Sequence, residues 1–175
     1  TGDEKDTGSY QNLGDLFLDL THGEATHYRR RLDIDNAIHT IEYSADGTAW
    51  RREYFASFPR QVLVFRFTAD KRGAYSGILK LADAHGARSA ATGKLLSAGG
   101  KLGNGLEYET GVHVVNTGGH VTPSEGTLRI ENADALTIFV AAGTNYLPDR
   151  ARGWRGDSPH TRIDRQLRAA AAKPY

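Results

Sequence analysis

Two strand-like runs flank an Asp-Gly pair in the first third of the chain: Ala37-Ile38-His39-Thr40-Ile41-Glu42-Tyr43, then Ala45-Asp46-Gly47-Thr48, then Ala49-Trp50-Arg51-Arg52-Glu53-Tyr54-Phe55-Ala56. Both runs are rich in the β-branched and aromatic residues that favour strands. The Asp-Gly pair supplies the positive φ angles that a tight hairpin turn requires. The two runs are therefore predicted to pair as an antiparallel hairpin.

Similar patterns continue on both sides of this hairpin. We predict further strands at residues 16–20, 28–34, 62–68, 75–81, 106–114, 127–130 and 135–142, with another entering at Val121 after Gly118-Gly119. Residues 62–65 are apolar on both faces, which indicates an interior strand covered on each side. About nine or ten short strands separated by turn signals are typical of an all-β antiparallel sandwich.

The remaining segments do not follow the strand pattern. Residues 1–9 are polar and are predicted to be irregular, and residues 82–104 are rich in Gly, Ala and Ser, so we expect loops except at 94–97. Near the end, Ser158-Pro159 is predicted to cap a short C-terminal helix in which Ile163, Leu167, Ala170 and Ala171 recur at helical spacing. Because this apolar stripe is narrow, the helix should either pack on the sandwich or lead into another domain.

Composition limits the classes of partner. The 175 residues fit one sandwich domain over 1–157, followed by a helix or linker at 158–175. A net charge of +1 provides no field for nucleic acid, and no apolar run is long enough to span a membrane. The chain lacks cysteine, which excludes disulfides and thiolate chemistry. It starts at Thr1 and contains no methionine, so we expect a processed form or a fragment.

Several motifs suggest chemistry at first sight. The seven histidines show no metal-ligand spacing, so no metal and no cofactor are predicted. The glycine-rich segment 99–105 lacks the order of a phosphate-binding loop and is interpreted as a flexible connection. Glycosidases use two carboxylates that distant segments can supply. Asp33 and Asp35, two apart on a predicted strand, and Glu53 are candidates, but all follow arginines, so solvated charge pairs are the favoured interpretation.

Aromatic side chains are a second indication of carbohydrate, because sugar rings stack on Trp and Tyr. Trp50 lies in a strand and is predicted to belong to the core. Trp154, Asn145 and Tyr146 lie in the polar, arginine-rich loop 145–157, whose length is typical of functional or interfacial loops. We predict that this loop contacts either a sugar or a neighbouring domain, with local packing as the alternative. No catalytic residue is predicted.

Three ordered segments carry a family resemblance: Tyr10-Gln11-Asn12-Leu13-Gly14-Asp15-Leu16-Phe17-Leu18; residues 28–35 with 52–57 and 61–64; and Ala141-Ala142-Gly143-Thr144-Asn145-Tyr146 with 157–160. Together they resemble the N-terminal domain of family 95 glycoside hydrolases, with Asn12 at the usual proline. The resemblance extends from Tyr10 to the end of the chain. It implies a β-sandwich of the super-sandwich type, followed in the parent enzyme by a helical (α/α)6 catalytic barrel.

The same resemblance implies an inverting, exo-acting α-L-fucosidase, or a relative acting on α-L-galactosides, as the parent. The family's general acid and asparagine-assisted base lie in the barrel, so this segment alone is expected to be inactive. The implied partners are the barrel and a fucosylated or galactosylated glycan, and the implied location is secreted or periplasmic. The family's opening strands are absent before Tyr10, so the sandwich is expected to be incomplete. A free-standing carbohydrate-binding module or a structural, oligomerising domain is the alternative function.

Overall fold

The computed structural model describes residues 12–173, in which two antiparallel sheets and one helix are formed. The strands are β1 (Asp15–Leu20), β2 (Thr26–Asp33), β3 (Ile38–Ala45), β4 (Thr48–Ser57), β5 (Val62–Ala69), β6 (Tyr75–Ala82), β7 (Ala90–Thr92), β8 (Leu95–Lys101), β9 (Glu107–Thr117), β10 (His120–Ser124), β11 (Thr127–Ala133) and β12 (Ala135–Thr144). The helix α1 covers His160–Ala171. The all-β sandwich and the short C-terminal helix are confirmed.

The larger sheet has eight strands in the order β2-β3-β4-β5-β12-β9-β8-β7. Its first four strands form a meander, and the predicted β3–β4 hairpin is present, with Ile41 paired to Arg52. Asp46 and Gly47 adopt φ angles of 51° and 67° in the hairpin turn. Strand β5 is an interior strand because it pairs with β4 on one side and with β12 on the other.

The smaller sheet has four strands in the order β1-β6-β11-β10. It packs over the β7, β8 and β9 end of the larger sheet, where β10 and β11 lie close to those strands. The main core fills the space between the sheets, and Leu79, Leu128, Val112 and Ile138 are buried in it. Trp50 also belongs to this core, as predicted.

Helix α1 lies on the outer face of the larger sheet. Its buried residues Ile163, Leu167 and Ala170 pack against Val64 and Phe139, forming a second core. The expectation that the helix packs on the sandwich is therefore confirmed, and β5 is covered on both faces. Because Ile163 and Leu167 lie above Gly111 of β9, a Cβ atom at that position would be 2.8 Å from each side chain.

Several local predictions were wrong. Residues 12–173 contain twelve strands, since β7 forms in the segment expected to be loop and β8 continues beyond the predicted 94–97 to Lys101. Gly99 and Gly100 lie in β8, and glycine is required at 99 because a Cβ there would be only 2.5 Å from the backbone oxygen of Tyr108. Asp35 lies in the turn after β2, so Asp33 and Asp35 do not share a strand face. The predicted irregular lead and the Tyr10-Gln11 pair lie outside the described residues.

The start of α1 also differs from the prediction. Pro159 occupies the N-cap position, and no side chain caps the helix there. Within residues 12–173, no helix is long and apolar enough to cross a membrane.

Candidate functional site

The loop 145–157, which makes up most of the connection between β12 and α1, is anchored to the sandwich by Asn145. Its side-chain oxygen accepts a hydrogen bond from the backbone N–H of Glu107 at 2.9 Å. Its backbone N–H donates to Glu107 O at 3.0 Å, and its carbonyl accepts from Gly156 N at 2.6 Å. With only 7% of its surface exposed, Asn145 holds both ends of the loop against β9.

The aromatic side chains of this loop remain available to a partner. Tyr146 is 56% exposed and Trp154 is 45% exposed, which is unusual for large rings. Trp154 adopts a φ of 60°, and its N–H donates to Asp149 O at 2.9 Å. Tyr146 and Arg155 form an isolated β-bridge, and Arg155 Nη2 donates to Asn104 O at 2.9 Å. These bonds fix the loop backbone while leaving both rings accessible.

A cleft of about 310 Å³ opens between this loop and α1. It is lined by Asn145, Tyr146, Thr161, Arg162, Arg165 and neighbouring loop residues. One hydrogen bond fixes the rim, from Arg162 Nη2 to Thr144 O at 3.1 Å. An aromatic ring beside guanidinium and hydroxyl groups can bind a hydroxylated or acidic ligand.

The predicted residues therefore have different positions in this cleft. Asn145 and Tyr146 belong to its lining, whereas Trp154 does not. Contact of these three residues with a sugar or another domain stays a prediction. Sequence reasoning missed Arg162 and Arg165, although their spacing of three on a predicted helix placed them on one face.

The candidate carboxylates Asp33 and Glu53 lie elsewhere, on the outer face of the larger sheet, whereas Asp35 lies in the turn after β2. Asp33, Glu42 and Glu53 line a polar cavity of about 190 Å³ together with Arg31 and Arg51. Arg51 binds Glu42 at 2.6 Å and Glu53 at 2.9 Å, while Arg31 binds Asp33 at 3.1 Å. The structure thus agrees with the interpretation of Asp33 and Glu53 as members of charge pairs.

The electrostatics of Asp33 do not favour proton donation by its carboxyl group. Hydrogen bonds from the Asn36 side chain and backbone hold the pKa of Asp33 below its usual value. A glycosidase general acid needs a raised pKa instead. Within residues 12–173, no group of three or more His, Asp or Glu side chains is arranged to hold a metal ion.

Comparison with known proteins identifies the family of this domain. The model of the family described as "Glycosyl hydrolase family 65, N-terminal domain" matches residues 1–149. The chain belongs to this family of N-terminal domains. The matched segment includes both sheets and ends within the 145–157 loop.

Named relatives of this N-terminal domain are α-fucosidases. The chain is 27% identical to the probable alpha-fucosidase A of Aspergillus niger over 96% of its own length and 23% of the relative's. It is 29% identical to alpha-L-fucosidase 2 of Arabidopsis thaliana, over 78% of the chain and 20% of the relative. The chain therefore spans about a quarter or less of the length of these relatives.

A solved structure agrees in fold. The putative kojibiose phosphorylase from human microbiome matches 87% of the chain with a TM-score of 0.57 and 9% identity, and the match covers 23% of that protein. The expectation of a glycoside hydrolase N-terminal domain with α-fucosidase relatives is confirmed.

Proposed function

We propose that the chain is the noncatalytic N-terminal sandwich of an exo-acting, inverting α-L-fucosidase or a relative acting on α-L-galactosides. The observation that carries the proposal is the match to proteins named α-fucosidases, which covers nearly all of this chain and under a quarter of the Aspergillus niger relative. The remaining length of such enzymes is large enough for a separate catalytic domain.

The charges of the outer face support a noncatalytic role. Inverting glycosidases need two carboxyl groups, one holding a proton and the other free to activate water. Each carboxylate of the polar cavity is instead bound to an arginine, and arginine stays protonated at any working pH. All three carboxylates, Asp33, Glu42 and Glu53, therefore belong to ion pairs, as expected for charges with a structural role.

The loop 145–157 supplies the contact surface for the rest of the enzyme in this proposal. Tyr146 and Trp154 extend from a backbone that Asn145 fixes, so they would meet a neighbouring domain or the rim of its pocket without a large entropic cost. Arg162 and Arg165 line the adjacent cleft and would pair with acidic groups of that domain.

The test measures turnover of a nitrophenyl α-L-fucoside by this chain and by the full-length protein encoded by the same gene. The full-length protein is expected to release nitrophenol, and the chain alone is expected to release none. Turnover by the chain alone would overturn the noncatalytic assignment, and a full-length protein that is inactive on fucosides and α-L-galactosides would overturn the parent activity.

A carbohydrate-binding module is the second candidate, favoured by the exposure of Trp154 and Tyr146. It predicts that fucosylated oligosaccharides change the tryptophan fluorescence of the chain and that Trp154→Ala abolishes the change. Trp50 is buried, so it serves as an internal reference that sugar cannot reach. A flat titration would exclude this candidate and leave the interdomain role of the loop.

A further inference from the structure

The larger sheet has eight strands and the smaller sheet has four. The end of the larger sheet formed by β2 and β3 extends beyond the smaller sheet. The smaller sheet covers the β7–β9 end through β10 and β11, and β1 is its last described strand on the other side. Part of the inner face beyond β1 is therefore open, although Tyr43 and Ala45 of β3 remain buried. Leu32 is 65% exposed and Tyr28 is 55% exposed, and Ile41 and Tyr54 are only partly buried.

Strand β1 borders this uncovered face with an edge that no other strand among residues 12–173 pairs with. Among residues 12–173 it pairs with β6 alone, in the register Leu18 to Leu79. Thr21 N–H donates to Ser76 O at 3.2 Å, and this pair continues the register. Antiparallel pairs alternate between bonded and non-bonded positions, so the N–H groups of Leu16, Leu18 and Leu20 point away from β6.

The other described sheet edges are protected against strand addition. Strand β2 carries Arg29, Arg30 and Arg31 in a row, β10 contains Pro123, and β7 has three residues. Charges, proline and short length are the usual means by which proteins block an edge. Strand β1 is six residues long and contains no proline, and its inward side chains are leucines, so the only charges along this edge are the outward Asp15 and Asp19.

The charges on β1 identify the kind of strand that fits. Asp15 and Asp19 lie on the outward face, and among the described residues only Asp19 has an ion-pair partner, Lys80 at 2.6 Å. A second copy paired antiparallel about Phe17 would set Asp15 opposite the Asp19 of its partner, and like charges directly opposite each other destabilise a sheet. An incoming strand with Lys or Arg at its outward positions would pair with both.

We propose that β1 is a docking edge for an extended peptide strand with apolar residues facing inward and basic residues facing outward. The added strand widens the smaller sheet, and its apolar side chains cover the inner face near Ile41 and Tyr54. This mode combines backbone hydrogen bonds for affinity with alternate side chains for selectivity. The proposal is independent of the parent's activity, because it depends only on the sandwich.

Two capped seven-residue peptides test it with the 175-residue chain. One alternates valine with lysine, and the other has glutamate in place of lysine. The lysine peptide should bind about tenfold more tightly in calorimetric titration, since each outward pair changes from repulsion to attraction. In amide hydrogen exchange measured by NMR, this peptide should protect Leu16, Leu18 and Leu20.

Charge reversal provides the matched control. The double variant Asp15→Lys, Asp19→Lys should prefer the glutamate peptide, whereas Glu131→Lys on the exposed face of β11 should keep the original preference. Equal binding of the two peptides would overturn the proposal. Three other results would also overturn it. The peptide could bind without slowing exchange of the three leucine amides, or these amides could already be protected in the free chain. Sedimentation could also show dimers that form as the concentration rises.

Discussion

Gly111 lies on β9 directly beneath α1, and replacing it with alanine tests how closely the helix packs on that strand. The new Cβ would lie 2.8 Å from Ile163 Cγ2 and 2.8 Å from Leu167 Cδ1. Carbon atoms reach favourable contact at about 3.5–4.0 Å, so α1 must move outward by about 1 Å or change both rotamers. The backbone of Gly111 adds no strain, because its φ lies outside the left-handed region.

Overpacking of this kind costs about 1–3 kcal/mol of unfolding free energy. For a domain of this length, that loss lowers the melting temperature by roughly 2–12 °C. Urea denaturation followed by tryptophan fluorescence and circular dichroism gives the change in free energy. Gly103→Ala is the matched control, because a Cβ there meets no atom within 4 Å and its φ is ordinary.

A double variant distinguishes crowding from other effects of the substitution. Leu167→Ala alone should cost about 2–5 kcal/mol, since Leu167 is 2% exposed. In the Gly111→Ala background it should cost less, because the new methyl occupies part of the space that leucine leaves. If Gly111→Ala is as stable as Gly103→Ala, or if the two costs simply add, the close seating of α1 on β9 is refuted.

Three further predictions concern the sandwich and its loop. Asn145→Ala should lower the unfolding free energy by about 1–3 kcal/mol in urea denaturation, because the part-buried Glu107 N–H loses its partner; an unchanged midpoint would contradict this anchoring role. Burial beneath α1 lowers the pKa of His113, so protons bind the unfolded chain preferentially and stability should fall as the pH drops below about 6.5. His113→Gln should therefore reduce the loss of melting temperature between pH 7.5 and 5.5, and an identical loss would refute the assignment. Tyr108→Phe should cost about 1–2 kcal/mol in calorimetric unfolding, since its hydroxyl donates to Asp83 at 2.9 Å, and a neutral result would show that water replaces the bond.

The parts of the fold that local chemistry determines could be predicted from the sequence. The β3–β4 hairpin follows from Asp46-Gly47, whose positive φ angles only a few residue types adopt readily. The apolar face of α1 could be predicted from the spacing of its apolar residues alone, and Ile163 and Leu167 are the most buried residues on it. In both cases the deciding interactions lie within a few residues of each other.

Features that depend on distant contacts were missed. The glycines of β8 resemble a flexible loop, yet Gly99 is required because Tyr108 of the neighbouring strand approaches its backbone. The anchoring role of Asn145 depends on Glu107, 38 residues away. Ser158 fits the composition of a cap, but the chain enters α1 so that Pro159 takes that position. Periodicity contains no information about which strands become neighbours.

The pairing of β5 with β12 affects the order in which the chain folds. Leu136 pairs with Phe67 across a long intervening segment, whereas β2 to β5 pair in succession along the chain. Contacts between distant residues require loop closure first and slow folding. We therefore expect the β2–β5 meander to form while later residues are still being synthesised, and to wait with β5 exposed until β12 emerges. Aggregation during expression should then depend on translation speed between β5 and β12 more than on the stability of the finished sandwich.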